Sequence, residues 1–198
     1  MGRAVTSRGR RLPVLGAAQG SGAAPSFQRI AIIGLGAVGG SLAMALREAW
    51  PASLVIGVDT HEAVEAAVRL HAIDVGAADL VVAGDADLVV LAGGLAENLG
   101  VLPFLADAVA GEAVVLVMGP AAPIAPAAQS LPGRLVIVAG LPAVDVRGRG
   151  IHAASAALFR DRAWPVEAVS GPPGAVSRVQ DLVRAVGGVP SAAEPDAV

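Results

Sequence analysis

Gly34, Gly36 and Gly39 stand in a Gly-x-Gly-x-x-Gly spacing directly after the apolar run that starts at Arg29 and ahead of an alanine-rich helical pattern. Glycine at 34 permits a tight turn, and at 36 it lets a pyrophosphate approach the backbone. At 39 it lets the helix and strand pack closely, with the helix N-terminus facing the phosphates. Leu35, Ala37 and Val38 lie between these glycines and belong to the same candidate site. The next apolar run, from Leu54, ends in Asp59 about 20 residues beyond Gly39, where a ribose-binding carboxylate is expected. A carboxylate there favours NAD over NADP, because a 2′-phosphate would face its charge. In a glycine-rich turn of another kind, Asp59 would do no more than cap the helix that follows.

The elements that must hold these residues alternate along the chain. A strand opens at Arg29, its helix runs on through Ala43 to Trp50, and Pro51 ends it. His61–Leu70 reads as a second helix, with Thr60 as N-cap and Glu62 and Glu65 in its first turns. Leu80–Ala83 is a short strand candidate and Asp87–Ala92 a stronger one, followed by a helix from about Ala96 to Ala110. Ala113–Met118 and Leu135–Ala139 read as further strands. A weak strand at Pro165–Val169 and a helix over Ala175–Val186 complete the order. Such alternation predicts an α/β fold of Rossmann type, a doubly wound and mostly parallel sheet. Ligands in such sheets bind beyond the carboxyl ends of the strands, where the strand order reverses. Gly34 to Gly39, Asp59, Ala92, Gly93 and Gly119 fall at strand ends of that kind and are expected to line one crevice. Read singly, the last three could equally be ordinary loop residues.

Composition narrows the options. The 198 residues suffice for one well-buried domain, 55% of them are hydrophobic, and mean hydropathy is +0.67. These values suit parallel strands covered on both faces. Lys+Arg number 14, all of them Arg, and the net charge of −3 gives no reason to expect nucleic acid or an anionic membrane as partner. Cysteine is absent, which excludes disulfides, thiolate catalysis and thiolate-bound metal; His61, His71 and His152 show no metal-ligand spacing. The longest uncharged apolar stretch, Ala113 to Ala128, carries Pro120, Pro123 and Pro126 and falls short of the ~18 residues that a membrane-spanning helix needs. Arg3, Arg8, Arg10 and Arg11 precede Leu12–Ala18, which Pro13 and Gly16 interrupt. Residues 1–28 are therefore expected to form a disordered arm rather than an export signal, with the protein cytoplasmic. The folded unit is expected over 29–190, and 191–198 as a tail.

Several segments together resemble the prephenate/arogenate dehydrogenase family of tyrosine biosynthesis. Ile30-Ala-Ile-Ile-Gly-Leu-Gly-Ala-Val-Gly-Gly-Ser-Leu42 is similar to that family's opening, and Gly40 and Ser41 make it more selective than the generic fingerprint. Val55–Asp59, His71-Ala-Ile-Asp74 (a Gly-Ala-Ile-Asp in the family), Ala86–Ala92 and the Leu158-Phe159…Trp164 segment resemble further family stretches in consistent order. The resemblance implies a nicotinamide dinucleotide as cofactor and a dehydrogenase ancestry. It also implies a histidine, in a Gly-Gly-His-Pro motif, that accepts the proton of the substrate hydroxyl. Here the stretch is Ala139-Gly-Leu-Pro142, so Leu141 occupies the place of that base. A Gly-Ser-x-Lys motif after the fifth strand is replaced by Gly119-Pro120-Ala121-Ala122, and both polar side chains are gone. The family's helical C-terminal domain, which closes the site and forms the dimer, has no counterpart in this sequence.

Other polar residues carry two readings each. His152 is either a substitute base beside the crevice or a loop surface histidine. Arg147 and Arg149 could grip a carboxylate or phosphate in two-point contacts, or simply be solvated. Asp145 could be a displaced acid or base. Glu97 and Asn98 are explained by their place at a helix start. The sequence therefore supports two functions: an NAD-dependent oxidoreductase of altered chemistry, or a non-catalytic NAD-binding sensor or scaffold. Apolar surface around the crevice would suit a homodimer or a protein partner.

Overall fold

A computed structural model describes residues 24–192. Residues 1–23 of the expected 1–28 arm lie outside that range, as does the chain after Ala192. Eight strands form one sheet: β1 (Arg29–Ile33), β2 (Leu54–Val58), β3 (Val75–Ala77), β4 (Leu88–Leu91), β5 (Ala113–Val117), β6 (Leu135–Gly140), β7 (Ala163–Ala168) and β8 (Val189–Ala192). The helices are α1 (Ala37–Ala49), α2 (His61–Arg69), α3 (Leu95–Val101), α4 (Leu105–Ala108), α5 (Ala121–Ala128) and α6 (Gly174–Ala185). The strand order is β3-β2-β1-β4-β5-β6-β7-β8. Pairing is parallel from β3 through β6, β7 runs antiparallel to β6, and β8 is parallel to β7. This is the doubly wound Rossmann-type sheet expected from the alternation of elements, with one reversed pair at its far edge.

The apolar runs are continuous because both faces are covered. Ile30 and Ile32 of β1 and Leu88 and Val90 of β4 pack with Leu42 and Leu46 of α1 and Val179 and Leu182 of α6. Ala31, Val89 and Leu91 point the other way, into a second core with Leu102, Leu105 and Ile124. Alternate residues of one strand thus serve opposite layers, as the pleat requires. Packed chain begins ahead of β1. Phe27 is fully buried, Ser53 Oγ donates to its carbonyl at 2.7 Å, and the Arg178 guanidinium lies 4.1 Å over its ring.

Two local expectations require correction. Leu80–Ala83 is a 3₁₀ turn, started by Asp79, whose Oδ1 accepts from Val81 N–H at 2.9 Å; the edge strand is the shorter Val75–Ala77. A four-residue apolar run has no period that separates the two states. The helix expected over Ala96–Ala110 is broken at Pro103, which has no N–H to continue the ladder, into α3, a 3₁₀ turn at Leu102–Phe104, and α4. α5, a helix that the sequence reading did not name, forms in spite of its prolines. Pro120 is its N-cap and Pro123 falls in its first turn, where N–H groups lack intrahelical partners anyway; Pro126 alone lies inside it, two residues before its end. At the far edge of the sheet, β8 runs to Ala192.

The His71–Asp74 segment is structural. His71 has φ of +54°, the left-handed region that favours glycine, which accounts for the glycine of the related motif. Asp74 accepts from Val55 N–H at 2.9 Å through Oδ2 and pairs with Arg47, fixing the start of β2. Among the described residues, no helix is long and apolar enough to cross a membrane, and no group of three or more His, Cys, Asp or Glu could hold a metal ion.

Candidate functional site

The carboxyl ends of the parallel strands are level, since Ile33 is in register with Val58 and Leu91, Leu91 with Val117, and Val117 with Ala139. Successive connections leave to opposite faces on the two sides of β1 and β4, so a crevice opens where the strand order reverses. The first loop turns there. Gly34 takes φ of +95°, and a Cβ on it would lie 3.0 Å from Gly93 N, which seats the β1 loop against the β4 loop. A Cβ at Gly39 would collide with the Gly34 carbonyl oxygen and come within 3.0 Å of Ala92 Cβ. At Gly36 a Cβ would meet nothing within 4 Å. Gly36 is also the N-cap of α1, which has no side-chain cap and no acidic residue in its first turn. The first amides of α1, in Ala37, Val38 and Gly39, therefore face open space with the positive end of the helix dipole behind them.

Asp59 ties the second strand to this turn. Its Oδ2 accepts from Leu35 N–H at 2.6 Å and its Oδ1 from Thr60 N–H at 2.6 Å. Each oxygen keeps a further lone pair, enough for a hydroxyl donor. Thr60, not Asp59, caps α2, accepting from Ala63 N–H at 3.3 Å. That removes the capping explanation for Asp59.

On the other side of the crevice, Ala92 N–H donates to the Ile33 carbonyl at 2.8 Å. Asn98, read from sequence as helix-start polarity, is buried and joins two strand ends. Its Oδ1 accepts from Gly93 N–H, and its Nδ2 donates to the carbonyls of Gly93 and Met118, each at 3.0 Å. Glu97 does behave as helix-start polarity, accepting from Gly94 N–H at 2.9 Å. Gly119 is buried, and a Cβ there would sit 3.1 Å from Leu95 Cδ1. Pro120 next to it is exposed and has no N–H to offer. Gly34 through Gly39, Asp59, Ala92 and Gly93 are thus brought together, and Gly119 stands beside them through Asn98 and Leu95.

Leu141 follows β6 at the same edge of the sheet and is 54% exposed. It carries no atom able to accept a proton. His152 is exposed on a 3₁₀ turn, Ile151–Ala153, and makes no hydrogen bond among the described residues. Arg147 and Asp145 are both highly exposed, 4.0 Å apart. Ser41 is a functional-looking residue whose role the spacing did not reveal. It is fully buried, its Oγ donates to the Ala37 carbonyl at 2.6 Å, and it accepts from Ser155 N–H at 2.8 Å.

The fold and this crevice define a doubly wound domain of the dinucleotide-binding class. A family model described as prephenate dehydrogenase, nucleotide-binding domain, matches residues 42–190, and the chain belongs to that family. The match begins just past the glycine turn, which therefore stands on its own geometry. No curated protein matches the sequence. Among solved structures, the chain is similar to arogenate dehydrogenase of Synechocystis, with TM-score 0.77, 24% identity, and 85% of this chain and 60% of that one covered. It is equally similar to prephenate dehydrogenase of A. aeolicus in complex with hydroxyphenyl propionate and NAD+ (0.77, 23%, 85% and 60%). A 3-hydroxyisobutyrate dehydrogenase of Mycobacterium tuberculosis matches at 0.64 and 16% identity over 83% of this chain and 54% of that one. The chain thus spans 60% of the length of the first two, and at such identities the likeness concerns the fold.

Proposed function

We propose that this chain binds a nicotinamide dinucleotide, NAD in preference to NADP, and does not carry out the proton abstraction that its dehydrogenase relatives need. The observation that carries the first half is the uncapped start of α1 opposite the empty Cβ space at Gly36, with Asp59 fixed at the end of β2. These residues fit the cofactor. The amides of the α1 start would receive a pyrophosphate, the free lone pairs of Asp59 would hold ribose hydroxyls, and its charge would repel a 2′-phosphate. The A. aeolicus relative, solved with NAD+, supports the same reading.

A bound nicotinamide supplies a hydride acceptor; everything else must come from protein groups. Loss of a hydride from an alcohol also releases a proton, which a positioned base usually accepts at a gain of about 10²–10⁴-fold. At the position that the family resemblance gives to that base, Leu141 has no lone pair, and Pro120 stands where the related motif has a serine. Leu141 and Pro120 leave this chain to bind and orient a dinucleotide, a sensing or scaffolding role alongside a protein partner.

Calorimetric titration with NAD and with NADP tests the reading. NAD should bind the tighter of the two, and Gly36→Val should abolish binding without loss of fold, since the added Cβ meets only open space. Binding of neither dinucleotide would overturn the assignment. Steady oxidation of prephenate or arogenate by the wild-type chain at a rate unaffected by Leu141→Ala would overturn the non-catalytic half only.

A further inference from the structure

The Gly40-Ser41 pair lies past the phosphate-facing turn of α1 and takes no part in the proposed dinucleotide contacts, yet both residues are buried. What they face is the connection from β6 to β7. A Cβ at Gly40 would lie 2.8 Å from Ile151 Cγ1 and 3.1 Å from Ala154 Cβ, so the missing side chain makes the seat for that segment. Beside it, Ser41 Oγ accepts the Ser155 N–H while donating to the Ala37 carbonyl in the first turn of the helix. Ile151 is 3% exposed, so the segment is held by apolar burial and one hydrogen bond together.

Upstream of this seat the chain is slack. Ala143 N–H is held by the Ala163 carbonyl at 2.8 Å, but from Asp145 to Gly150 no backbone N–H donates to another backbone group among the described residues. Gly148 and Gly150 have φ of +112° and +66°, and Arg147 and Arg149 are exposed. A loop that begins beside Leu141 at the strand ends is therefore fixed at its far end by packing of Ile151–Ala153 against α1 and α2 and, among the described residues, by the Ser41–Ser155 hydrogen bond.

We propose that Ser41 is a positioning residue, whose buried hydroxyl clasps the Leu141–Ser155 loop to the first turn of α1 and so couples the order of that loop to a dinucleotide at the same helix start. The coupling rests on the proposed NAD binding; the clasp itself does not. Ser41 touches neither ligand nor reacting atoms. It acts by holding the Ala37 carbonyl and the Ser155 amide in one arrangement. A ligand that orders the first turn of α1 thereby favours the closed loop, and by reciprocity the closed loop favours the ligand.

Limited trypsin digestion, read by mass, tests this through cleavage after Arg147 and Arg149, with cleavage after Arg69 at the end of α2 as the internal control. Without ligand, Ser41→Ala should raise cleavage in the loop about five- to tenfold and leave the Arg69 site unchanged, the size expected for one lost hydrogen bond when proteolysis follows the open population. Ser155→Pro removes the same bond from its exposed end and should do likewise, which keeps the test sound if the buried substitution disturbs folding. Equal loop cleavage in wild type and both variants would overturn the clasp. Saturating NAD should slow loop cleavage in wild type by a larger factor than in Ser41→Ala, and the variant should bind NAD more weakly. If wild type binds NAD in calorimetry but both proteins gain the same protection, the coupling is overturned and the binding stands. If wild type binds no NAD, the functional reading fails while the ligand-free comparison still decides the clasp.

Discussion

Gly36 and Gly39 belong to one motif but answer to different constraints. Gly39 is dictated by the protein itself, because a Cβ there would strike the Gly34 carbonyl. Gly39→Ala should therefore cost about 1–3 kcal/mol or more of stability, read as a lowered urea midpoint. Gly36 has φ of −68° and open space around it, so Gly36→Ala should shift the midpoint far less than Gly39→Ala, the stiffer unfolded chain offsetting the poorer N-cap. Equal destabilisation by both would mean that Gly36 is also a packing glycine and would remove the main support for a ligand at that turn. The places of Asp59 and the three glycines at the strand ends were legible in the sequence because backbone geometry sets them at fixed offsets. Ser41 was visible only as part of a selective motif, and Asn98 not at all. An asparagine in the first turn of a helix looks the same whether it faces solvent or reaches across to Met118.

At the scale of elements, continuous apolar runs identified β1, β2, β4, β5 and β6, since strands covered on both faces have little room for polar residues. What escaped was decided by single residues or by pairing. Pro103 divided the third helix, Asp79 turned an apolar tetrad into a 3₁₀ turn, and β8, Val-Pro-Ser-Ala, is a strand only because β7 offers it an edge. The β4 and β5 ends are joined by Asn98 rather than by the sheet alone. Asn98→Ala leaves Gly93 and Met118 without their side-chain partner and should cost about 1–3 kcal/mol. Asn98→Asp is the sharper variant. It keeps an acceptor for Gly93 N–H but aims a carboxylate at two carbonyls, which raises its folded-state pKa above the unfolded value. The folded form then binds the extra proton, so the deficit should be largest at neutral pH and shrink as pH falls towards the unfolded carboxylate range of about 4. A deficit that grows on acidification, measured by denaturant titration at pH 7 and pH 5, would contradict this arrangement of Nδ2 between carbonyls.

For the whole molecule, the crevice lies at the junction between β3-β2-β1 and the strands from β4 to β8, and the two tryptophans report on opposite sides of it. Trp50 closes α1 against Phe27, with ring centroids 6.4 Å apart, and Trp164 on β7 stacks on Phe159 at 4.9 Å. Both are buried, at 5% and 0% exposure, and both feed the core layer shared by α1 and α6. Because β1 and β4 pair directly and Ala92 N–H crosses to Ile33, neither half can leave without exposing the other's core. Unfolding followed in Trp50→Phe and in Trp164→Phe, each then holding one tryptophan, should give urea curves with coincident shape once each variant's own stability offset, measured by far-UV circular dichroism, is removed. NAD should shift both curves by the same free energy, about 2.7 kcal/mol at a hundredfold excess over its Kd, since a ligand spanning the junction stabilises one cooperative unit. A shift seen by Trp50 but not by Trp164 would place the ligand on the first half of the sheet alone and would show that the β4 and β5 loops contribute nothing to holding it.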